Sequence, residues 1–257
     1  MIKFFRNIRQ NLLNEGKTNK YIKYAIGEIV LVVIGILIAL QINNWNENRK
    51  LQNDKHKLML ALKEEFTTNK KNLEDVIKGT IKSDLYFVKV LNFSAGTEPN
   101  LPIDSLRFYA SKMIYPQKLS LLSSVQEEAV SSGKFELLDD KLKQLLSTFK
   151  DFNNSLNTIN ESSDYIFTSD FEMNELLITL SIYEDVYKKF FPDRPVSIHS
   201  KLKKNDEELV AYLQSAKTYA NLYRIYFLNI SNEVWMKEGL LNLTNNILDE
   251  IDQELNH

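Results

Sequence analysis

An apolar run at residues 29–40 (IVLVVIGILIAL) constrains this chain more than any other feature of its sequence. The run is shorter than the roughly 20 residues that a membrane-spanning helix needs. Its flanks extend it, because residues 24–45 cover roughly 33 Å at about 1.5 Å per residue, close to the thickness of a bilayer's hydrocarbon core. Tyr24 and Trp45 then fall at the two membrane interfaces, where aromatic rings concentrate. The sequence therefore predicts one transmembrane helix at 24–45.

The apolar run could instead belong to a cleaved signal peptide or to a buried helix of a soluble protein. A signal peptide has a short basic segment and small residues before its cleavage site. Here more than 20 residues precede the run, and residues 39–43 contain no pair of small residues at the required spacing. We therefore expect an uncleaved anchor. Its predicted membrane-interface residues are Lys20, Tyr21, Lys23, Tyr24 and Trp45.

The basic residues close to the predicted span indicate its orientation. Six precede it, namely Lys3, Arg6, Arg9, Lys17, Lys20 and Lys23, and five follow it within about 20 residues, namely Arg49, Lys50, Lys55, Lys57 and Lys63. This slight excess favours a cytoplasmic N-terminus. Residues 1–23 are interpreted as a basic amphipathic segment on the cytoplasmic face of the membrane, and a disordered basic tail is the alternative.

The composition limits the class of the remaining chain. A net charge of -2 gives no overall positive field, so nucleic acid is not an expected partner. The absence of cysteine excludes disulfides and thiolate metal sites. Only 7 Gly and 5 Pro occur in 257 residues, too few for the turns of a strand-rich fold. The sequence predicts an all-α protein.

After the span, apolar residues keep a helical spacing to about residue 92, and no Pro interrupts them. The predicted buried positions are Leu51, Leu58, Leu62, Phe66, Leu73, Val76 or Ile77, Ile81, Leu85 and Val88. One helix is therefore expected from about residue 24 to 92, with Gly79 as its weakest point. Glu65 and Asn69 would enter a heptad seam, which favours packing within the domain over a coiled coil between molecules.

Shorter helices are predicted between this helix and a final long one. The pattern indicates a loop at 94–102, a helix at 105–113 capped by Asp104, a helix at 120–132 ended by Gly133, and a helix starting near Asp139 or Asp140 with a break near 161–164. A second loop at 190–196, a helix capped by Asn205 or Asp206, and a helix at 216–255 follow. The fold expected for residues 46–257 is an elongated antiparallel helical bundle that continues from the transmembrane helix.

No catalytic, cofactor-binding or metal-binding residue is predicted. Glycine is scarce where phosphate-binding motifs need it, and His56, His199 and His257 each stand apart from the others. Glu254 and His257 have the spacing used in di-iron bundles, but such sites need two of these motifs. Adjacent acidic pairs, including Glu64–Glu65, are interpreted as solvated surface. The chain is therefore expected not to be an enzyme.

Three residues of the span are candidates for contact with another helix. Gly35 and Ala39 form a pair of small residues four apart, which allows a second helix to approach closely, although lipid-facing sequence contains such pairs by chance. Glu28 is charged near the membrane boundary. It is expected either to reach water or Lys23, or to meet a basic group of a partner.

Three segments, MIKFFRNIRQNLL at 1–13, GKT at 16–18 and YAIGEIVLVVIGILIALQINNWNE at 24–47, resemble those of the single-pass membrane proteins of Bacteroidota that carry a domain of unknown function (domain of unknown function 6090). A weaker resemblance continues at 131–138 and 206–213. The resemblance implies a bacterial membrane location and a helical body, and it implies no activity, cofactor or site residues.

These features together favour an envelope interaction or scaffolding module in the bacterial inner membrane, with its C-terminal domain in the periplasm. An extracytoplasmic sensor or regulatory subunit that signals through a separate partner is the alternative. The expected partners are the lipid bilayer and either a second copy of the chain or an unidentified membrane or envelope protein.

Overall fold

The computed structural model describes residues 18–113, 119–169, 171–181, 193 and 199–256. Every regular element in these residues is helical, which confirms the all-α prediction. The α-helices are α1 (Thr18–Ser94), α2 (Ile103–Lys112), α3 (Ser124–Ser131), α4 (Asp140–Ser169), α5 (Phe171–Ser181), α6 (Asp206–Leu213), α7 (Ala216–Val234) and α8 (Asn242–Leu255). Short 3-10 helices lie at Lys134–Leu137 and Ser200–Leu202, and a π-helix, Trp235–Leu241, joins α7 to α8.

The chain divides into two compact units, Met1–Lys57 and Leu58–His257, and α1 contributes to both. In the first unit, the side chains of residues 29–40 are all exposed. Among the described residues, one helix is long and apolar enough to cross a membrane, and this run supplies its apolar part. The predicted domain limits at 23 and 45 stay predictions.

In the second unit, α1 packs antiparallel to the helical run from α7 to α8. Lys63 of α1 lies 2.6 Å from Asp252 of α8, and Phe87 further along α1 stacks on Tyr226 of α7. Two clusters of buried apolar residues form around this pair. Because burying a large apolar side chain contributes about 1.5–3 kcal/mol, these clusters supply most of the stability of the bundle.

The first cluster joins α1 to α4, α8 and the π-helix. Leu62 and Phe66 of α1 are fully buried in it, and the Phe66 ring meets Phe149 of α4 edge to face with centroids 5.0 Å apart. The second cluster lies further along α1. It is built from Phe87, Val90 and Leu91 of α1 with residues of α2, α5, α6 and α7.

Several predicted boundaries are correct. Gly133 has a φ of 73° and follows α3, as expected of a left-handed residue after a helix, where glycine carries no Cβ penalty. Asn205 caps α6 through a reciprocal pair of hydrogen bonds: its side chain accepts from the Glu208 N–H, and the Glu208 carboxylate accepts from the Asn205 N–H. This arrangement satisfies two backbone donors at the start of α6.

Other predicted boundaries are wrong. Pro102 occupies the cap position before α2, and Asp104 lies within its first turn. Helix α3 begins at Ser124 because side chains of α1 hold residues 120–122 in a non-helical segment. Helix α4 runs through 161–164 without a break, and Gly79 does not interrupt α1. Most of the predicted loop at 190–196 lies outside the described residues.

The predicted buried stripe of α1 is right from Leu58 to Ile77 and wrong at Leu51 and beyond Ile77. Leu58, Leu62, Phe66, Leu73 and Ile77 are buried. Leu51, Ile81 and Leu85 are exposed, and Val88 is half-buried. Beyond Ile77 the buried face continues through Thr80, Asp84, Phe87 and Leu91. The polar residues Thr80 and Asp84 are thus buried in place of their apolar neighbours Ile81 and Leu85, which hydrophobic periodicity predicted to be buried.

Candidate functional site

A polar layer separates the two apolar clusters of the bundle. On α1 it consists of Thr80 and Asp84, which are each 9% exposed. On α7 it consists of Asn229, whose side chain hydrogen-bonds to Asp84, and Glu233, whose charge acts on Asp84. Since α1 and α7 are antiparallel, one turn of each helix brings these four side chains together at the same level of the bundle.

Asp84 is the electrostatic centre of this layer. Its pKa is raised from 3.8 to about 6, chiefly by burial and also by the nearby Glu233 carboxylate, whereas a hydrogen bond with the Asn229 side chain opposes the change. Its Oδ1 atom is buried and has no hydrogen-bond partner among the described residues. A carboxyl group in this environment is more easily protonated than one in water.

Tyr226 of α7 lies between the polar layer and the second apolar cluster. Its ring stacks on Phe87 with centroids 6.2 Å apart. Burial raises the pKa of its hydroxyl, and the charge of Asp84 raises it further, so Tyr226 stays neutral beside the two acids.

The opposite edge of the layer leads into the π-helix. Asn232 of α7 donates a hydrogen bond to the Asn160 side chain of α4 over 2.9 Å.

The π-helix begins three residues later, at Trp235, and Gly239 within it faces the Phe152 ring of α4. A Cβ at residue 239 would lie 2.8 Å from Cδ1 of Phe152, so only glycine allows this close approach. Single-turn π-helices are rare and often occur at functional sites.

The chemistry available to this layer is proton exchange. Asp84 and Glu233 are two carboxyl groups that repel each other when both are charged, and only one of them is well buried. Protonation of Asp84 removes that repulsion and one buried charge. The described residues contain no group of three or more His, Cys, Asp or Glu side chains placed to hold a metal ion.

A second buried carboxylate has a structural role. Glu65 of α1 is 4% exposed, and its Oε2 accepts a hydrogen bond from the Val125 N–H over 2.7 Å in the first turn of α3. The Gln126 side chain donates to its Oε1. Glu65 therefore caps α3 from another helix, and the prediction that it lies on solvated surface is wrong. The predicted exposure of Glu64 is confirmed.

Asn69, one turn further along α1, holds the segment before α3. Its side chain accepts a hydrogen bond from the Leu122 N–H over 2.7 Å and donates to the Leu122 carbonyl over 2.9 Å. The Asn72 side chain donates to the Ser120 carbonyl. These bonds satisfy backbone groups of a non-helical segment that lies against a helix, which explains why Asn69 is fully buried.

A groove of about 380 Å³ lies between α3 and α4. Leu146 and Phe149 of α4 and Phe135 of the 3-10 helix form part of its apolar lining, and Lys150 lies among its polar lining residues. Sequence patterns did not predict this groove. Its lining comes from α3, the 3-10 helix and α4, and the position of α3 depends on the hydrogen bonds of Glu65 and Asn69.

The predicted membrane-interface residues lie on α1. The Trp45 side chain is exposed, and the Arg49 guanidinium lies 5.6 Å from the centroid of its ring. Lys23 is exposed. Lys20, Tyr21 and Tyr24 occupy helical positions, and their side chains lie outside the described part of the chain.

The predicted helix-packing residues also lie on α1. Gly35 has no neighbouring atom within 4 Å of a Cβ position, Ala39 is exposed, and Glu28 is half-exposed. Residues 1–17, which form most of the predicted basic segment, and His257 lie outside the described residues.

Comparison with protein families finds one match within the chain. Residues 28–93 match the model of a family of unknown function (DUF6090). Over this stretch the chain is similar to a domain of unknown function. The matched stretch begins just before the apolar run and ends next to the last residue of α1, so it includes Glu65, Asn69 and Asp84. Comparisons with curated proteins and with solved structures find no match.

Proposed function

We propose that this chain is a single-pass membrane protein whose helical body serves as a non-catalytic interaction or scaffolding module of the bacterial cell envelope. The observation that carries the proposal is the exposure of the apolar run. Every side chain at 29–40 is exposed, although a soluble protein rarely leaves so large a contiguous apolar surface in water. A helix satisfies its own backbone hydrogen bonds, so the same segment is stable in lipid.

The proposed location is the bacterial inner membrane, with a cytoplasmic N-terminus and a periplasmic body. The slight excess of basic residues before the span supports this orientation. The resemblance of residues 1–47 to single-pass proteins of Bacteroidota supports the location. Trp45 and Arg49 suit the interface that follows the span, because an amphipathic ring and a basic side chain both favour the headgroup region.

The proposed partners are the bilayer and another protein. A second copy would pack through Gly35 and Ala39, and the open space around Gly35 gives another helix room to approach. The alternative partner is an unidentified membrane or envelope protein, bound through the helical body.

A second candidate function is that of an extracytoplasmic sensor or regulatory subunit. The polar layer favours it. The buried carboxyl group of Asp84 lies beside Glu233 and close to the π-helix, and its protonation changes with the pH of its surroundings. Such a subunit would signal through a separate partner.

Membrane fractionation with carbonate extraction tests the proposal. We expect the full-length protein to stay in the carbonate-resistant membrane fraction. The double variant Val32→Arg/Leu37→Arg should be lost from it, because each Arg near the centre of a span costs about 2.5–3.5 kcal/mol of insertion free energy. Asn48→Arg, which lies after the predicted span, is the matched control and should behave as wild type. Release of the wild-type protein by carbonate would contradict the proposal.

A further inference from the structure

The groove between α3 and α4 has the size and the lining of a site for a small molecule. Its volume of about 380 Å³ lies at the lower end of the range of ligand pockets, about 300–1,000 Å³. Its lining includes the buried side chains of Leu146 and Phe149. Leu122 and Val130 also line it, although they are 45% and 61% exposed. An apolar group bound in the groove would remove the surface of these two side chains from water.

Most polar side chains of the lining already have hydrogen-bond partners. The Ser131 and Ser147 hydroxyls each donate to a backbone carbonyl of their own helix. The Gln126 side chain donates to a carboxylate of α1, and the Ser123 hydroxyl donates to Oε1 of Glu127 over 2.7 Å. These groups therefore stabilise the walls of the groove and leave other groups to meet a ligand.

Four polar groups of the lining remain available. They are Oε2 of Glu127, the ammonium group of Lys150, and the side-chain amides of Asn153 and Asn154. None of the four has a hydrogen bond or an ion pair with a described residue, and Glu127 and Lys150 do not pair with each other. The groove thus offers one free acceptor with negative charge, one free donor with positive charge, and two amides.

Glu127 and Lys150 lie at the middle of opposite walls. The lining residues of the α3 wall fall within 123–131, and those of the α4 wall fall within 146–154. At about 100° per residue, each of the two charged residues is rotated by about 40° from the first residue of its range. Each therefore lies on the face of its helix that lines the groove.

The neighbouring charged residues do not belong to the lining. Glu128 and Asp151 each follow one of the two charged lining residues, and they are rotated by about 100° further around their helices. Lys134 and Glu136 flank the lining residue of the 3-10 helix with opposite signs, and Glu136 is paired with Lys143 over 3.4 Å. The lining itself therefore presents one charge of each sign.

This pair of charges selects the kind of ligand. A ligand with a single charge would be attracted by one of the two groups and repelled by the other. A zwitterion is attracted by both, so the charges on the two walls are complementary to its ammonium and carboxylate groups. Both contacts would be charge-assisted hydrogen bonds, which are stronger than those between neutral groups.

We propose that the groove between α3 and α4 binds a free apolar α-amino acid. Its ammonium group would donate to Oε2 of Glu127, and its carboxylate would accept from Lys150. Its apolar side chain would cover Leu122 and Val130. This inference adds a small-molecule site to the interaction module proposed above, and it does not depend on the partner of that module.

Isothermal titration calorimetry of the full-length protein in lipid nanodiscs tests this proposal, with empty nanodiscs as the blank. The probe is L-phenylalanine. N-acetyl-L-phenylalanine lacks the ammonium group, and L-phenylalaninamide lacks the carboxylate. We expect L-phenylalanine to bind at least about tenfold more tightly than either analogue, because each analogue loses one charge-assisted hydrogen bond and keeps the charge that the other wall repels.

Substitution of the two charged lining residues tests their roles. Glu127→Gln and Lys150→Met should each weaken the binding of L-phenylalanine at least about tenfold. Glu127→Gln should also abolish the preference for L-phenylalanine over its N-acetyl analogue, which a general loss of stability would not do. Glu128→Gln and Lys82→Met, at exposed residues outside the lining, are the matched controls and should bind as wild type. Circular dichroism verifies that each variant remains folded.

Three results would overturn the proposal. They are the absence of binding at millimolar L-phenylalanine, binding that survives both Glu127→Gln and Lys150→Met, and an affinity for either analogue that equals or exceeds that for L-phenylalanine. The last result would assign the groove to a singly charged ligand. Carbonate extraction reports separately on the anchor, because the substituted residues lie outside the apolar run.

Discussion

Asp84 shows how one buried side chain gives the bundle a dependence on pH. Its pKa is raised from 3.8 to about 6 by burial and by the charge of Glu233. Between these two values the folded protein holds a proton that the unfolded chain releases. The contribution of Asp84 to the free energy of unfolding therefore falls as the pH rises through this window.

Replacing Asp84 with Asn should remove this dependence. The amide side chain cannot ionise, so the variant should gain stability relative to wild type as the pH rises from about 4 to about 7, by about 1–2 kcal/mol once solvent screening is allowed for. Urea unfolding at several pH values measures the difference. Asp75→Asn, at an exposed carboxylate of the same helix, should show no such gain. An equal response of both variants would refute the role of Asp84.

Glu65 and Asn69 carry a second prediction at this scale. Asn69→Ala leaves the N–H and carbonyl of Leu122 without their partner, and Glu65→Ala removes the cap of α3. Each should lower the free energy of unfolding by about 1–3 kcal/mol, because partly buried backbone groups lose hydrogen bonds. Glu64→Ala, at the exposed neighbour, should change it by less than about 0.5 kcal/mol. Denaturant unfolding of the three variants decides the question.

Residue patterns predicted some of these roles and missed others. The capping residue Asn205 was predictable, because its partner Glu208 is local in the sequence. Asp84 and Glu65 were not, because each is buried by helices distant in the chain. A signal for Asp84 existed: it lies four residues after Thr80 and seven after Ile77, on the same helical face.

Among the elements, the π-helix depends on one close contact, that of Gly239 with the Phe152 ring of α4. Gly239→Ala would add a Cβ 2.8 Å from Cδ1 of Phe152. Although Ala favours helix, this overlap should destabilise the protein by about 1–3 kcal/mol. Phe152→Leu in the same chain should recover part of the loss, which a double-mutant cycle measures. Additive effects of the two substitutions would show that the contact does not constrain the π-helix.

Helix α1 illustrates how far hydrophobic periodicity predicts an element. The absence of Pro and the regular apolar spacing predicted one helix over about 24–92, and the helix spans Thr18–Ser94. The buried face was correct from Leu58 to Ile77 and wrong before and after this stretch. Beyond that point the apolar residues Ile81 and Leu85 face solvent, and polar residues face the core. Because periodicity responds to a core and to an exposed apolar surface alike, it cannot separate them.

At the scale of the whole molecule, the all-α class was predictable because few Gly and Pro residues remain to form turns. The two apolar clusters and the polar layer between them were not, since their separation depends on the register of α1 against α7 and α8. Sequence patterns thus predicted the elements, and the packing of distant elements determined the candidate site.

Labelling of single cysteines tests most directly whether residues 24–45 cross a membrane once and leave the helical body on the far side. The chain has no cysteine, so single substitutions give specific labelling sites. Asn14→Cys lies before the predicted span, and Ser132→Cys is an exposed position of the body. A membrane-impermeant maleimide applied to spheroplasts should label Ser132→Cys, and it should label Asn14→Cys only after the membrane is opened. Equal labelling of both positions in intact spheroplasts, or protection of Ser132→Cys, would contradict this topology.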